Sequence, residues 1–270
     1  TYTKSGKNNM SVVYVYHLNS SKEYPVTEKW YSSSSPEFSS DGKYLIFSSE
    51  RDFNPIYSQT EWNHAYNRMG GVYMAMLAKD TPSPLLPTDE TVTVEQPVNA
   101  ADAAKEKKSA ETTGTTVKID PEGLPGRLIK LPLSAGYYGN FYSDGNKVWY
   151  ASGRDTKVFD LQKQKEETVA DGASMSVAAN NKKALFYKSG NLYICDFPCS
   201  KASLDDPVDL SNMIAPIDYA QEWAQIFDES WRAFRDGFYL ENMHGADWKA
   251  IKEKYAVLLP YAKTLSLIHI

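Results

Sequence analysis

The feature that most constrains this sequence is a weak repeat of strand, tight turn and strand through roughly its first 210 residues. Asp-Gly and Asn-rich pairs in the repeat supply the positive φ angles that tight hairpins require. An apolar strand follows each turn, and another strand follows that one. The pattern therefore predicts a series of small antiparallel sheets. The clearest copies span 34–52, 139–155 and 174–197, with turns at Asp41-Gly42, Asp144-Gly145 and Asn180-Asn181.

The spacing of these turns favours a β-propeller. The last two lie 36 residues apart, close to the length of a four-stranded blade. Two insertions lengthen the first interval. One is "FNPIYSQTEWNHAYNRMGG", predicted to pack on a neighbouring surface. The other, 88–118, has no aromatic residue and is predicted to be disordered. About three four-stranded blades remain, too few to close a ring, so we predict a mainly β fold with a partial propeller over residues 1–211.

After Pro207 the pattern changes to short α-helices. The stretch "EWAQIFDESWRAFRDGFY", 222–239, repeats apolar residues at three- and four-residue spacing, which predicts an amphipathic helix with Asp218 as its N-cap. A second helix, "DWKAIKEKYAVLL", ends before Pro260. Its aromatic face, like that of the first, requires a partner surface. We assign 212–263 to this helical segment and interpret 264–270, "TLSLIHI", as a non-native tail.

Composition and charge exclude several classes of function. The net charge is −5 and no basic stripe stands out, so we predict no nucleic-acid partner. No apolar run approaches the roughly 20 residues of a membrane span. The first residues, "TYTKSGKNNM", have neither an initiator Met nor a signal-peptide pattern, so the native N-terminus is interpreted as missing. Localisation, cytoplasmic or periplasmic, stays open.

No metal or cofactor site is predicted. Cys195 and Cys199 form a lone C-x3-C without a nearby His to complete a zinc site. Two reduced thiols are the first interpretation, a disulfide the second and a metal site the third. Glu61 and His64 could share a helix face, but a third ligand is missing. Neither a GxGxxG motif nor a Walker loop occurs.

No residue of the chain is predicted to be catalytic. "GASMS", ending at Ser176, lacks the final Gly of a nucleophile elbow and lies in a blade pattern. His17 is interpreted as a packing or edge residue, His64 as a ring packed among aromatic residues, and His244 as a hydrogen-bonded turn residue. Carboxylates that are adjacent in sequence, such as Asp228 and Glu229, do not face each other on a helix, so they predict no acid–base pair.

The helical segment "EWAQIFDESWRAFRDGFYLENMHGADWKAIKEKYAVLLPYA" resembles the start of the catalytic region of tricorn-type serine proteases. The blades before it, with "SSSPEFSSDGKYLIFSSERDFNPIYSQTEWNHAYN", resemble the propeller of bacterial members, so the likeness covers most of residues 1–263. The resemblance implies a parent serine peptidase that shortens peptides, with propellers as access or exit channels. The family's N-x-S-H-T-Y segment and its later nucleophilic Ser do not occur here, which implies that these residues alone are inactive.

Two other classes of protein stay open. The parent could be a propeller scaffold that binds peptides or polymers without catalysis. It could also be an oligopeptidase of the α/β-hydrolase kind, against which the helical motif argues. Homo-oligomers through the full-length protein are a further possibility that the sequence leaves open, together with the peptide specificity.

Overall fold

The computed structural model describes residues 1–53, 55–86 and 117–262. It separates into a first unit, residues 1–208, and a second unit, residues 209–270. We call these the blade unit and the helical unit. Nearly all of the insertion predicted at 88–118 and all of the tail predicted at 264–270 lie outside the described residues.

The blade unit is built from successive antiparallel sheets. The first contains β1 (Tyr2–Ser5), β2 (Ser11–His17) and β3 (Lys22–Pro25). β4 (Ser33–Phe38) and β5 (Tyr44–Ser49) open the second sheet, and a separate hairpin of β6 (Pro55–Tyr57) and β7 (His64–Tyr66) follows. β8 (Gly71–Met76) and β9 (Leu128–Lys130) complete the second sheet. The third contains β10 (Tyr138–Ser143), β11 (Lys147–Ser152), β12 (Asp155–Asp160) and β13 (Lys165–Ala170). The fourth contains β14 (Ser174–Val177), β15 (Lys183–Lys188) and β16 (Asn191–Asp196).

A mainly β fold with a partial propeller followed by a short helical segment is confirmed. The described residues contain four blade-like sheets, two of four strands and two of three, where the sequence predicted about three blades of four strands. The difference arises at the N-terminus. There, β1, β2 and β3 pair only with one another, so "SVVYVYHL" belongs to a sheet of its own.

The three predicted turns adopt the backbone conformation expected of them. Gly42, Gly145 and Asn181 have φ angles of 70°, 92° and 54°. They lie in the hairpins β4–β5, β10–β11 and β14–β15. The repeat in the sequence is thus a repeat of the hairpin that opens each of these sheets.

Side chains alternate between the two faces of each strand, and this alternation explains how the sheets pack face to face. In β5, Tyr44 and Ile46 join one buried cluster while Leu45 and Phe47 join another. In β11, Tyr150 joins the first of these clusters and Trp149 joins a third. Successive side chains of a strand point to opposite faces, so each central strand fills the space on both of its sides. Three apolar clusters therefore hold the four sheets together.

The first strands of neighbouring sheets lie side by side, since β4 contacts both β1 and β10, and β10 contacts β14. β4 and β10 each carry a bulge whose central residue has a positive φ, 53° at Ser35 and 51° at Asn140. The Asn140 side-chain amide donates to the Met175 carbonyl of β14. The bulge thus turns a polar side chain toward the next sheet.

The helical unit contains α1 (Tyr219–Gly237) and α2 (Trp248–Ala256). Asp218 caps α1 by accepting from the backbone N–H groups of Ala220 and Gln221 at 3.0 and 3.3 Å, as its position in the sequence predicts. Asp247 caps α2 in the same way. Among the described residues, no helix is long and apolar enough to cross a membrane.

The two helices are joined through a pair of tryptophans. The Trp231 indole N–H donates to the Trp248 carbonyl at 2.8 Å, and the Trp248 indole N–H donates to the Trp231 carbonyl at 3.1 Å. Lys252 of α2 lies over the Trp231 ring and binds Asp228 of α1. Apolar and polar contacts thus both fix α1 against α2.

Candidate functional site

A polar cleft of about 430 Å³ opens at one end of the second sheet. At this end β4, β8 and β10 begin and β5 ends, so residues far apart in sequence meet here. Hydroxyl groups, tyrosine rings and two charged side chains line the cleft. The lining side chains are those of Ser11, Ser32, Ser33, Ser34, Ser48, Glu50, Tyr66, Arg68, Met69, Tyr137 and Tyr138.

A hydrogen-bonded row stiffens the strands behind this cleft. The buried Ser33 hydroxyl donates to the Ser49 hydroxyl at 2.9 Å, and Arg51 Nε donates to the same Ser49 oxygen at 3.0 Å. The Arg51 guanidinium lies over the rings of Tyr31 and Tyr73, 5.4 and 5.5 Å from their centroids. Burial raises the pKa of Tyr73, so its ring stays neutral beside the cation.

Two glycines bring the remaining walls together. Gly136 N–H donates to the Gly70 carbonyl at 2.8 Å. A Cβ atom at Gly70 would lie 2.2 Å from the Gly136 oxygen. Only glycine therefore permits this approach of the segment before β10 to the residues before β8. It places Arg68 and Tyr137 in the wall of one cleft.

Arg68 supplies an open positive charge at this site. It lines the cleft and two adjacent cavities of about 390 and 510 Å³. Nearby, Lys157 pairs with Glu166 at 2.5 Å, and Glu166 also accepts from Tyr150 at 2.7 Å. Arg68 has no hydrogen bond or ion pair with the part of the chain that the structure describes. It is held at a φ of 55°, a costly conformation for a side chain of this size.

The site is equipped for recognition by hydrogen bonds and charge. Serine and tyrosine hydroxyls both donate and accept, and Arg68 and Glu50 add one charge of each sign. Within residues 1–53, 55–86 and 117–262, no group of three His, Cys, Asp or Glu side chains could hold a metal ion. The cleft therefore has the chemistry of a polar binding surface.

Comparison with family models assigns both units. The model of the tricorn protease second β-propeller domain matches residues 1–198. The chain belongs to the tricorn protease family. The model of the tricorn protease C1 domain matches residues 219–266, which include both helices of the helical unit. The chain thus contains the non-catalytic propeller portion of a tricorn-like protease.

Relatives of known sequence and structure agree with this family. Tricorn protease homolog 1 of Streptomyces coelicolor is 28% identical over 92% of this chain and 25% of its own length. The tricorn protease of Thermoplasma acidophilum is 20% identical over 94% of this chain and 23% of its own. A crystal structure of the tricorn protease matches the whole chain with a TM-score of 0.66 at 17% identity, over 28% of its length. The chain thus spans about a quarter of its tricorn relatives.

The three histidines that the structure describes take different settings, none within the cleft. His17 is exposed at the end of β2, where its Nδ1 lies 2.7 Å from the Ser20 hydroxyl in a hairpin turn. It is therefore an exposed strand-end residue whose ring bonds the turn that follows. His64 lies on β7, so it shares no helix face with Glu61, and its ring contacts Tyr57 at 5.3 Å. His244, at a φ of 55°, bonds the Tyr239 hydroxyl as a turn residue.

Ser176 and the cysteines lie in the fourth sheet or beside it. Ser176 pairs with Leu185 within β14, far from the strand-to-helix turn of a nucleophile elbow. Cys195 and Cys199 are free thiols whose pKa burial raises. Cys195 Sγ lies 3.0 Å from the Ser203 carbonyl, and the Cys199 carbonyl accepts from Trp149. Neither thiol has a setting that would activate it.

Sequence reasoning missed the residues that line the cleft. Arg68 lies in an insertion, and nothing in its neighbours marks a positive φ. The pair Gly70-Gly71 in "NRMGG" was the available signal, because adjacent glycines before a strand indicate a close backbone approach. The partner at Gly136 is distant in the chain, so the sequence could not show what approaches.

Proposed function

We propose that this chain is part of a serine peptidase that degrades peptides. In it, the blade unit serves as a scaffold for substrate access or product exit. The observation that carries the proposal is the succession of a propeller match and a C1-domain match along one chain. Residues 1–211 would form the blades and 212–263 the first helices of the catalytic subdomain. The full-length parent would act on peptide substrates and could assemble into a homo-oligomer.

We further propose that these residues alone have no peptidase activity. A serine peptidase needs nucleophile, base and oxyanion hole within hydrogen-bond reach of one another. The Ser20 hydroxyl is paired with His17, but both residues are exposed where β2 ends and its hairpin turn begins, and the hydrogen bonds of the His17 ring in the described residues go to Ser20 and not to a carboxylate. The family's own histidine and serine segments do not occur in the sequence.

Labelling with a serine-directed fluorophosphonate tests both proposals. We expect the full-length parent to be labelled and to hydrolyse unstructured peptides. We expect the chain of residues 1–270 to do neither above background. Ser20→Ala, His17→Ala and His244→Ala in the short chain are the matched controls. Stoichiometric labelling of the short chain that one of them abolishes would locate a catalytic site here. An unlabelled, inactive full-length parent would instead support a binding scaffold.

A further inference from the structure

We propose that the outer edge of β7 is a docking strand for an extended peptide that carries apolar side chains and a carboxylate. The hairpin β6–β7 would hold this peptide over the polar cleft. The inference deepens the proposed function and rests on it in one respect, because the peptide belongs to the class of substrate that a peptidase takes. The contacts themselves involve only the blade unit.

The hairpin has an open strand edge with available backbone groups. β6 and β7 form a two-stranded sheet of their own, and no further described strand pairs with β7. Ser58 N–H donates to the Asn63 carbonyl at 2.9 Å, so hydrogen-bonded pairs alternate from there along the hairpin. His64 and Tyr66 then direct their backbone N–H and C=O groups outward from β7.

The opposite edge of the hairpin is less suited to pairing. The register places Pro55 opposite Tyr66, and proline has no N–H to donate. An incoming strand therefore finds a complete ladder only along β7. Native proteins usually cover or charge such edges, whereas the three residues of β7 are all exposed. An extended peptide is the ligand that open strand edges accept.

Exposed rings make this edge apolar as well as hydrogen-bonding. Phe53, Tyr57, Trp62 and Tyr66 are each more than half exposed. Tyr57 contacts His64 and Trp62, with ring centroids 5.3 and 6.1 Å apart, and Tyr66 contacts Phe53 at 5.6 Å. Single exposed rings are common, but contiguous ones mark an interaction surface. Apolar side chains of a docked strand would pack against this row.

Charge adds the last element of the ligand. Arg68 follows β7 by two residues and lines the cleft together with Tyr66. Its guanidinium is exposed and has no partner in the described residues. Glu50, which has the opposite charge, lines the same cleft. The wall can therefore attract a carboxylate at Arg68 and a cation at Glu50. Of these two charged residues, only Arg68 also lines the two adjacent cavities. We therefore assign the carboxylate of the peptide to Arg68.

Binding of synthetic peptides to the chain of residues 1–270 tests the inference. The probe is a fluorescein-labelled "GSVTFEVTFEGS", with "GSVTFQVTFQGS" lacking carboxylates and an alternately N-methylated version lacking half of its backbone donors. We expect Tyr57→Ser with Tyr66→Ser to weaken binding of the first peptide by about tenfold or more. Arg68→Ala should weaken it by about two- to fivefold, with no effect on the glutamine peptide.

Tyr187→Ser is the matched control, because Tyr187 on β15 is 53% exposed, as Tyr57 and Tyr66 are at 51% and 56%. We expect the affinity of the Tyr187→Ser variant for the first peptide to stay within about twofold of that of the unsubstituted chain. Hydrogen exchange supplies a readout that needs no substitution. The His64 and Tyr66 amides should exchange more slowly when the first peptide saturates the chain.

Several results would overturn the inference. These are no measurable binding, equal affinity of the N-methylated peptide, unchanged exchange at His64 and Tyr66, or a double variant that binds like the unsubstituted chain. A dimer of the chain that the tyrosine substitutions dissolve would show that a second copy occupies the edge. If the full-length parent is labelled by fluorophosphonate but the peptides do not bind, this inference alone fails. If they bind at β7 and the parent is inert, the proposed function fails.

Discussion

The blade unit and the helical unit bury their aromatic residues very differently. In the blade unit Trp149, Tyr150 and Phe159 are each 1% exposed, and three clusters fill the spaces between sheets. In the helical unit neither α1 nor α2 has a buried residue, although both are rich in aromatics. Phe234 and Tyr255 remain 63% and 45% exposed.

The difference follows from how each element presents its side chains. A central strand is flanked on both faces, so every residue of β5 is buried. A helix buries one stripe, and two helices offer each other only part of what their stripes need. Phe227, Trp231 and Phe234 of α1 together with Ile251 and Tyr255 of α2 line an apolar groove of about 250 Å³. Sheet packing completes a core locally, whereas this helix pair keeps an open apolar groove.

The largest effect should come from the blade core. Trp149→Ala removes a ring packed 4.9 Å from Phe197 and leaves the Cys199 carbonyl without its indole donor. We expect a loss of about 3–5 kcal/mol in the free energy of unfolding, measured by urea denaturation. Trp62→Ala, at a ring that is 69% exposed, should change it by no more than about 0.5 kcal/mol. Similar losses of unfolding free energy in Trp149→Ala and Trp62→Ala would contradict the difference between core and surface rings.

A backbone contact in the blade unit should rank next. Gly70→Ala forces a Cβ atom against the Gly136 oxygen, and we expect a loss of up to about 3 kcal/mol. Gly126→Ala is the matched control, because its Cβ would meet nothing within 4 Å, and it should be neutral to about 0.5 kcal/mol. Thermal denaturation of the two variants side by side measures the difference. Equal melting temperatures would show that the approach at Gly70 relaxes freely.

The tryptophan pair of the helical unit should give a smaller loss. Trp231→Ala removes a partly buried ring and the hydrogen bond that its indole donates, while the Trp231 backbone carbonyl that accepts from Trp248 remains, and we expect a loss of about 2 kcal/mol. Native-state hydrogen exchange of the α1 amides measures it without interference from the blades. Trp248→Phe keeps an aromatic ring but loses the indole N–H that donates to the Trp231 carbonyl. We therefore expect about half of the stability loss of Trp231→Ala. A loss from Trp231→Ala below about 1 kcal/mol would indicate that the ring awaits a partner surface.

The smallest effect should be an acid dependence confined to the helices. The hydrogen bond from Lys252 lowers the pKa of Asp228, with Arg232 and Arg235 adding to it. A lowered carboxyl pKa contributes stability above the ordinary value near 3.9, and that stability is lost as the pH falls through the lowered pKa. The indole N–H signals of Trp231 and Trp248 should therefore shift in acid, and Asp228→Asn should remove the dependence.

Glu253→Gln is the control for this titration. Its carboxylate pairs with Lys249 on α2 at 3.9 Å, and both side chains are largely exposed, so its loss should leave the signals of both tryptophans titrating as before. A titration that persists in Asp228→Asn, or that Glu253→Gln removes, would contradict the assignment to the Lys252 contact.

Local chemistry made the hairpins and helices predictable. The Asp-Gly pairs that contain Gly42 and Gly145 predict a positive φ at the turns. Asp218, placed ahead of an apolar stripe, predicts the start of α1. The bulges at Ser35 and Asn140 could not be predicted, because neither residue type requires a positive φ. At Asn140 the positive φ accompanies a hydrogen bond from its side chain to the next sheet, a contact between residues far apart in the sequence.

The cleft could not be predicted for a related reason. Its walls come from the starts of β4, β8 and β10 and the end of β5, and only the assembled sheets bring these together. The aromatic insertion was visible as "FNPIYSQTEWNHAYN", and it was predicted to pack on a neighbouring surface. The structure instead shows a hairpin whose rings remain exposed, since a two-stranded ribbon has no inner face of its own to bury.

The reciprocal hydrogen bonds of Trp231 and Trp248 also have a mechanical consequence. Sliding α2 along α1 by one helical turn would move each indole by about 5.4 Å and break both bonds at once. Neither can be exchanged for an equivalent further along, because each helix has a single indole at the crossing. Force applied to one helix by a neighbouring domain would therefore be transmitted to the other helix through these two hydrogen bonds.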